Sequence, residues 1–455
     1  MKLYHVADLH LGRRRLDGRL PDDDFVRAFR AIAEAAIADR AGAFVIAGDF
    51  FDRAQVEPRH LQQAQAVLRV LQRAGIAVIA VEGNHDRTFV HTAEHTWMQF
   101  VAEEELLVLL RPTFTPAGAV LEPWDQATRR GAWIEIEGVR FVGAGYLGAA
   151  TPAKTRQILA TIPGPAPIVL LLHAGPDYFV GEGGGFTRDD LRQLEDAVCY
   201  LALGHIHKPM RHGDWACNPG SPENCELREA GYDRGAGGAP AARGYAVVEI
   251  DPARPRRPVA LEVRSNPRRP VHRVELDCTP FGNKTKHGAE ALVAAAVAAI
   301  AAAGATPAAV IDLWLTGKLN LNRIALDQAR ACDDIRAAAG VFAVALDASR
   351  LNVGAGGGAG ARTGAGRARE ALERGAIGAL VDEQQLWGLD GERDRFVELF
   401  YALKEAVRLG RTAEVLAEQI ATSPLVEAVR RARVAPPATP VPAAAPAADE
   451  DEAAS

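Results

Sequence analysis

Several short polar segments combine carboxylates, imidazoles and glycine, and each follows a short apolar run. They are Asp8-Leu9-His10, Gly48-Asp49-Phe50-Phe51-Asp52, Gly83-Asn84-His85-Asp86, the single His173, and Gly204-His205-Ile206-His207. Carboxylate and amide oxygens and imidazole nitrogens bind first-row divalent metal ions. Imidazole also exchanges a proton near neutral pH. These residue types therefore indicate metal-assisted chemistry with an acid–base group.

Gly83-Asn84-His85-Asp86 is the segment around which the others are arranged. Gly83 permits a tight turn, and Asn84 offers a neutral oxygen to a metal ion. His85 can donate a proton, and Asp86 can orient the imidazole of His85. Taken alone, the tetrapeptide is equally compatible with a turn that begins a helix.

The apolar runs predict strands at residues 3–7, 43–47, 76–81, 167–172 and 200–203, with helices at 22–40 and 58–74. Strands that alternate with helices form right-handed crossovers and a largely parallel sheet. Ligands gather at the carboxyl ends of such strands. Asp8 and His10, two apart on an extended segment, are expected to point to the same side. A lone Asp-x-His or histidine is often structural, but so many polar residues at strand ends favour one shared site.

Composition limits the classes of protein. The 455 residues are enough for two to four domains, and 52 Lys and Arg against 58 Asp and Glu give a net charge of −6. A polyanion-binding protein with this balance needs locally concentrated basic residues. Five cysteines without C-x-x-C spacing favour neither disulfides nor a zinc finger. No membrane-spanning run or signal peptide is predicted, so we expect a cytoplasmic protein.

The ordered motifs D-x-H, GDxxD, GNHD, a lone histidine and GHxH resemble the calcineurin-like metallophosphoesterase superfamily. The resemblance implies an α/β fold, a four-layer β-sandwich flanked by helices. It implies that one metal ion is held by Asp8, His10 and His207. The other is held by Asn84, His173 and His205, and Asp49 bridges both. His85 is then the catalytic histidine, supported by Asp86, and either protonates the leaving oxygen or binds the phosphoryl group. The mixed oxygen and nitrogen ligands suit two divalent ions such as Mn²⁺.

Within the superfamily, two features resemble SbcD-like DNA double-strand-break repair nucleases over about residues 1–265. One is the opening Asp8-Leu9-His10-Leu11-Gly12, and the other is the turn Pro219-Gly220-Ser221-Pro222 after GHxH. That turn is equally explained as ordinary loop chemistry. The chain has Asp52 where these nucleases often have a second histidine, so neither exonuclease polarity nor endonuclease capability follows.

The rest of the chain is assigned by composition and pattern. Residues 252–273 are arginine-rich, and Arg256, Arg257, Arg268 and Arg269 suit phosphate contact, although a solvated linker explains them equally well. Residues 266–353 read β-α-β-α-β, similar in order to the DNA-capping domain of the same nucleases. The Gly and Ala run 354–366 predicts a flexible linker, and the Ala, Pro and acid tail 436–455 predicts disorder.

Residues 367–435 are predicted to be helical, with an apolar stripe at Phe396, Leu399, Phe400, Leu403 and Val407. Such a stripe packs against its own domain or docks a partner. In SbcD-like proteins, helices here bind an SMC-like ATPase of the SbcC type, and the resemblance also allows a homodimer. No membrane partner is expected.

The sequence thus predicts a two-metal DNA nuclease, an exonuclease and possibly also an endonuclease. The alternative is a stand-alone phosphodiesterase or phosphatase acting on nucleotides, which would need neither the arginines nor the cap-like domain. A protein phosphatase is disfavoured because GDxxD lacks the following Arg-Gly. A non-catalytic scaffold would be expected to have lost ligands, and all seven are present.

Overall fold

The computed structural model describes most of the first 351 residues and two C-terminal helices. The described residues are 1–16, 20–87, 96–162, 164, 166–180, 185–233, 241–281, 285–317, 328–351, 393–408 and 413–426. By its internal contacts the chain divides into Met1–Val353 and Gly354–Ser455. The predicted linker 354–366 and tail 436–455 lie outside the described residues.

Two six-stranded sheets form the centre of the first unit, with strands numbered in chain order. The first sheet, in spatial order, consists of β14 (Ala260–Ser265), β13 (Gly244–Glu249), β1 (Lys2–Val6), β2 (Ala43–Ala47), β3 (Ala77–Val81) and β4 (Val108–Leu109). The second consists of β11 (Met210–His212), β12 (Ala216–Asn218), β10 (Tyr200–Leu203), β9 (Ile168–Leu172), β8 (Val139–Ala144) and β7 (Trp133–Ile136). The strands β1 to β4 are mutually parallel, as are β8, β9, β10 and β12. The antiparallel pairs are β1 with β13, β13 with β14, β7 with β8, and β11 with β12.

Helices cover the outer face of each sheet. They are α1 (Asp23–Ala38), α2 (Pro58–Arg73) and α3 (Trp97–Glu103) on the first sheet, and α4 (Thr151–Thr161) and α6 (Arg188–Ala197) on the second. The short helix α5 (Asp177–Val180) has no buried residue. A small hairpin pairs β5 (Thr113–Thr115) with β6 (Gly118–Val120). Short 3-10 helices cover Gly148–Ala150, Leu227–Asp233 and Thr279–Phe281.

The two sheets pack face to face through a fully buried apolar layer. Leu3, Val45 and Ile79 of the first sheet meet Val169 and Leu171 of the second. Alternate residues on β1 point to opposite faces, so Tyr4 and Val6 pack instead under the helices. The order helix, sheet, sheet, helix confirms the four-layer sandwich implied by the family resemblance.

One polar residue crosses the layer between the sheets. His5 on β1 is fully buried, and its Nδ1 lies 2.8 Å from the Tyr200 hydroxyl while its Nε2 lies 3.1 Å from the Leu203 carbonyl oxygen. Burial lowers the pKa of His5 to about 3, so the ring is neutral at physiological pH. These bonds join the two sheets close to the ends of β1 and β10.

A smaller parallel sheet follows the sandwich, with its own apolar core. Its strands are β15 (Val271–Asp277), β16 (Val310–Thr316) and β17 (Ala343–Asp347), and its helices are α7 (Thr285–Ala302) and α8 (Gln328–Ala339). The β-α-β-α-β order predicted for residues 266–353 is therefore present. Its role as a DNA cap stays a prediction.

Two helices are described in the second unit, α9 (Arg393–Arg408) and α10 (Ala413–Ala421). On α9, Val397 is buried, while Phe400 is 43% exposed. Part of the predicted stripe is therefore open to solvent within the described residues. Among the described residues, no helix is long and apolar enough to cross a membrane.

Candidate metal centre

All the polar motifs lie in loops at one edge of the sandwich, directly after β1, β2, β3, β9 and β10. Two of these loops are paired through their backbones, because Asp8 N donates to Gly48 O and His10 N donates to Asp49 O. Strand β1 ends at Val6, and Asp8 and His10 have φ angles of 56° and 43°. The expectation that these two side chains converge because they are two apart on an extended segment is therefore wrong. They converge because the backbone turns twice beyond the strand.

The motif backbone is strained at several functional positions. Asp49 and His205 also have positive φ, at 49° and 84°, so four of the seven predicted ligands adopt a conformation rare outside glycine. Strained non-glycine residues of this kind cluster at functional sites, where surrounding structure holds them.

The motif glycines make room for the ligands. A Cβ on Gly83 would overlap the Asp49 carboxylate, one on Gly48 would overlap the His173 ring, and one on Gly204 would overlap the Ala47 carbonyl oxygen. Only Gly48 of these three has a positive φ. Gly83 is therefore required for close approach to Asp49 rather than for the backbone conformation expected from the sequence.

A first group of donors surrounds His10. Its Nε2 lies 3.1 Å from Nε2 of His207 and 3.7 Å from Oδ2 of Asp49. Donor atoms of Asp8, His10 and Asp49 lie within 4.8 Å of one another. All of these side chains except His207 are buried.

A second group surrounds Asn84. Its Oδ1 lies 3.2 Å from His173 Nε2 and 3.0 Å from His205 Nδ1. Oδ2 of Asp49 lies 3.2 Å from His173 Nε2. Asp49 therefore contacts both groups, and the structure brings all seven residues singled out in the sequence to one place.

The imidazole tautomers fit a cation at this edge. Nδ1 of His173 donates to the Ala47 carbonyl oxygen at 2.8 Å, and Nδ1 of His207 donates to Glu229 Oε1 at 2.7 Å. In the neutral form of each ring the lone pair is then on Nε2, which faces the centre, as in metal sites whose ligands are fixed by outer partners. Because the Nε2 atoms of His10 and His207 face each other, a proton or a cation must lie between their lone pairs. The donor set fits divalent metal ions.

The electrostatics of the groups point the same way. Although burial opposes ionisation of Asp49, the neighbouring histidines His173, His10 and His85 hold its pKa far below the usual range. Burial also opposes charge on His173, but Asp49 and Asp8 raise its pKa to about 9. A positive charge is thus favoured beside Asp49, and a bound cation satisfies the same demand as a proton on His173.

The pKa values of His205 and His207 are shifted in opposite directions. Burial, reinforced by His173, lowers the pKa of His205 to about 4, so this ring is a neutral donor. Burial also opposes charge on His207, but Glu229 raises its pKa overall. Glu229 is only 4% exposed, so its carboxylate contacts His207 with little access to water.

His85 is oriented by a different group from the one expected. Its Nδ1 donates to the backbone carbonyl of Asp52 at 2.7 Å, and its backbone N–H donates to Asp49 Oδ1 at 2.9 Å. The Asp86 carboxylate instead accepts backbone N–H groups of Gly83, Phe50 and Phe51. Burial, with the charge of Asp49, raises the pKa of Asp86 to about 7.

Asp86 therefore joins the loops after β2 and β3 and makes no described bond to the His85 ring. A carboxylate that accepts from three backbone N–H groups stabilises the loops that supply them. The sequence could not distinguish this role from that of a hydrogen-bond partner of the imidazole. Asp52 Oδ1 accepts from Arg13 Nη1 at 2.8 Å. Its Oδ1 also lies 3.3 Å from His10 Nδ1.

Sequence reasoning missed Glu229, which has no motif around it and lies 22 residues after His207. It also missed Tyr146, whose ring centroid is 5.3 Å from that of His205. The turn 219–222 did give a signal. Ser221 N donates to His207 O, and a Cβ on Gly220 would lie 2.6 Å from the same oxygen. This turn supports His207 from behind and is more than loop chemistry.

The arginine-rich stretch is neither a linker nor an open basic surface. Residues 260–265 and 271–277 are strands. Arg257 bonds Glu195, Arg268 bonds Asp233, and Arg269 makes two bonds to the buried Asp24. Of the four arginines predicted to contact DNA, Arg256 alone has no side-chain partner among the described residues. The other three are occupied within the protein.

The match to known proteins agrees with this geometry. Residues 1–209 match the family model described as calcineurin-like phosphoesterase. A DNA double-strand break repair protein Mre11 from Archaeoglobus fulgidus is 31% identical over 238 residues, covering 50% of this chain and 52% of that protein. Proteins of the same name from Aeropyrum pernix and Methanopyrus kandleri are 28% and 27% identical, covering 62% and 55% of this chain.

The chain spans 52%, 65% and 54% of the length of these three relatives. A site for two metal ions is typical of the phosphoesterase family, and clusters of candidate ligands lie at the matching edge of this sandwich. The fold, the order of the polar motifs and the family model agree in one respect: residues 1–209 are similar to the calcineurin-like phosphoesterase family.

Proposed function

We propose that the chain is a two-metal-dependent DNA nuclease that hydrolyses phosphodiester bonds at double-strand ends. The observation that carries the proposal is the convergence of six residues with oxygen or nitrogen donors around Asp49 at one edge of the sandwich. The names of its relatives, which are DNA double-strand break repair proteins, support DNA as the substrate.

The contacts support two ligand groups. One metal ion would be held by Asp8, His10 and His207, the other by Asn84, His173 and His205, and Asp49 would serve both. Bound there, two divalent ions supply Lewis-acid stabilisation of the charge that develops on the phosphoryl group. Manganese suits this mixture of nitrogen and oxygen ligands better than magnesium, which prefers oxygen alone.

His85 is proposed to act on the substrate rather than on the metal. With Nδ1 donating to the Asp52 carbonyl, the remaining Nε2 is available for a substrate oxygen. In its protonated form it can donate to the leaving oxygen or to the phosphoryl group. Asp86 has a supporting role, because it holds the loops that carry Asp49 and His85.

Partners follow from the same relatives and from α9. The half-exposed Phe400 face is suited to docking another helix, and an SMC-like ATPase is the proposed partner. A homodimer and a cytoplasmic location remain predictions from the sequence.

The test is hydrolysis of two substrates with and without Mn²⁺. End-labelled duplex DNA reports nuclease activity, and a chromogenic phosphodiester reports the metal chemistry alone. Asp49→Ala should abolish turnover of both, because it removes the donor shared by both groups, while the exposed Asp189→Ala should behave as the parent. Two tight metal sites with full turnover in Asp49→Ala would contradict the assignment.

A stand-alone nucleotide phosphodiesterase is the second candidate, favoured by the occupied arginines described above. Turnover of the chromogenic ester without any cleavage of duplex DNA would support it instead.

A further inference from the structure

A pair of aromatic rings is exposed on the segment that follows His173. Tyr178 and Phe179 of α5 are 59% and 44% exposed, with ring centroids 4.9 Å apart and planes at 45°. Their solvent exposure shows that neither ring is needed to fill the apolar core. Exposed apolar side chains grouped beside a site mark a binding surface.

Backbone hydrogen bonds hold together the two ends of the segment that carries the rings. Asp177 N donates to Phe186 O, and Phe186 N donates to Gly175 O. Phe186 is 1% exposed, so this end of the segment is part of the apolar core. A Cβ on Gly175 would overlap Ile206, the residue between His205 and His207. The segment that carries the rings therefore packs directly against the GHxH motif.

A second contact ties the rings to the strand that follows the GHxH motif. The Tyr178 hydroxyl lies 3.1 Å from Nε2 of His212 and 3.5 Å from Sδ of Met210. Met210 begins β11, three residues after His207, and three residues of chain span at most about 11 Å. The rings are thus within reach of the nucleotides next to a phosphodiester held at the metal centre.

The connecting segment carries positive charge. Lys208 and Arg211 are exposed, and Lys208 has no side-chain partner among the described residues. Arg211 bonds only the backbone oxygen of Gly213 there. Aromatic rings beside exposed cations suit single-stranded nucleic acid, because bases stack on the rings while cations contact the phosphates.

We propose that Tyr178 and Phe179 form a stacking platform for unpaired bases of the DNA strand bound at the metal centre. The platform rests on the proposed nuclease function and makes it more specific. It selects ends that carry single-stranded nucleotides, and it is sequence-tolerant because every base offers a π face. An apolar protein partner would gain nothing from Lys208 and Arg211, whereas a nucleotide uses both features.

The test measures binding rather than turnover. The probe is a duplex with a short single-stranded overhang that contains 2-aminopurine and phosphorothioate linkages, mixed with full-length protein and Mn²⁺. Quenching of 2-aminopurine reports stacking directly. The Tyr178→Ala/Phe179→Ala variant should lose the quenching and bind the overhang about 5- to 150-fold more weakly for each stacked base lost.

Two controls separate stacking from general damage. Tyr178→Phe keeps the ring and loses only its hydroxyl contacts, so quenching should persist. Phe100→Ala removes a ring on α3 that is 37% exposed and should bind as the parent. Replacing the overhang bases by abasic sites should weaken binding to the parent but not weaken the double variant further.

Parental quenching and parental affinity in the double variant would overturn the platform. Additive losses of affinity from the abasic sites and the substitutions would overturn it as well. If base and ring form one contact, removing either partner already abolishes that contact, and removing both should cost no more. Since quenching does not require cleavage, the platform is tested separately from the nuclease. If the parent protein does not hydrolyse the chromogenic ester, the proposed function is rejected instead.

Discussion

Glu229 provides a direct test of how the proposed metal ligands are held. Its Oε1 accepts from His207 Nδ1 and its Oε2 accepts from Cys225 N at 2.8 Å. In Glu229→Gln, only one of these donors can face an oxygen, and the amide NH₂ must face the other. If the NH₂ faces His207, the imidazole must accept at Nδ1 and carry its proton on Nε2, where it cannot bind a metal ion.

The expected loss follows from this competition. Outer partners of metal-bound histidines contribute about 10- to 100-fold to metal affinity. This corresponds to about 1.4 to 2.7 kcal/mol. Only the group around His10 should weaken, since Asn84, His173 and His205 do not contact Glu229. Calorimetric titration with Mn²⁺ should therefore change from two comparable sites to one tight and one weak site.

Glu226→Gln is the matched control. Glu226 is a neighbouring glutamate whose partner is Arg228 at the surface, so its loss should leave both affinities unchanged. Parental affinity at both sites in Glu229→Gln would refute the reasoning and leave Glu229 with a purely structural role. Equal weakening of both sites would also contradict it, because it would show that the disturbance spreads beyond His207.

Three further outcomes are expected. His85→Ala should keep its full metal content by elemental analysis while losing turnover, because His85 is assigned to the substrate; lost metal would place it among the ligands. Arg269→Gln should destabilise the protein by about 1.5–3 kcal/mol, since it removes a charged pair with buried Asp24, whereas exposed Arg256→Gln should change stability by less than about 0.5 kcal/mol. Chemical denaturation measures both, and equal effects would contradict the structure. Finally, the unfolded chain protonates His5 below about pH 6.5, but the folded chain does so only near pH 3. Stability should therefore fall as the pH drops below 6.5, by about 2 kcal/mol at pH 5, and His5→Asn should lack this component.

Local pattern in the sequence predicted the parallel strands and the clustering of seven polar residues at their ends, whereas the four-layer sandwich was implied by the family resemblance. Short apolar runs such as residues 43–47 and 168–172 become buried parallel strands, and the ends of parallel strands meet at one edge. The positions of Asp49 and Asn84 follow from that rule alone. Their loop conformations do not, because the positive φ at Asp8 and His10 is imposed by contacts with the loop after β2.

Contacts between distant segments could not be predicted. Nothing near Glu229 identifies it as the partner of His207, and nothing near Asp86 shows that its oxygens are taken by backbone groups. The arginines illustrate the same limit. A run of positive charge looks like a phosphate-binding surface until the structure supplies Asp24 and Asp233, which come from far earlier in the chain.

The donors come from both sheets, and this has a consequence for residues far from the site. Asp8, Asp49 and Asn84 follow strands of the first sheet, whereas His173, His205 and His207 follow strands of the second. The apolar layer between the sheets therefore sets the distance between the donors that follow one sheet and those that follow the other. Enlarging a buried side chain such as Leu3 or Leu171 would shift one sheet against the other. In a library of variants, this layer should tolerate fewer changes when selected for activity than when selected for folding, while the layers under the helices should show no such difference.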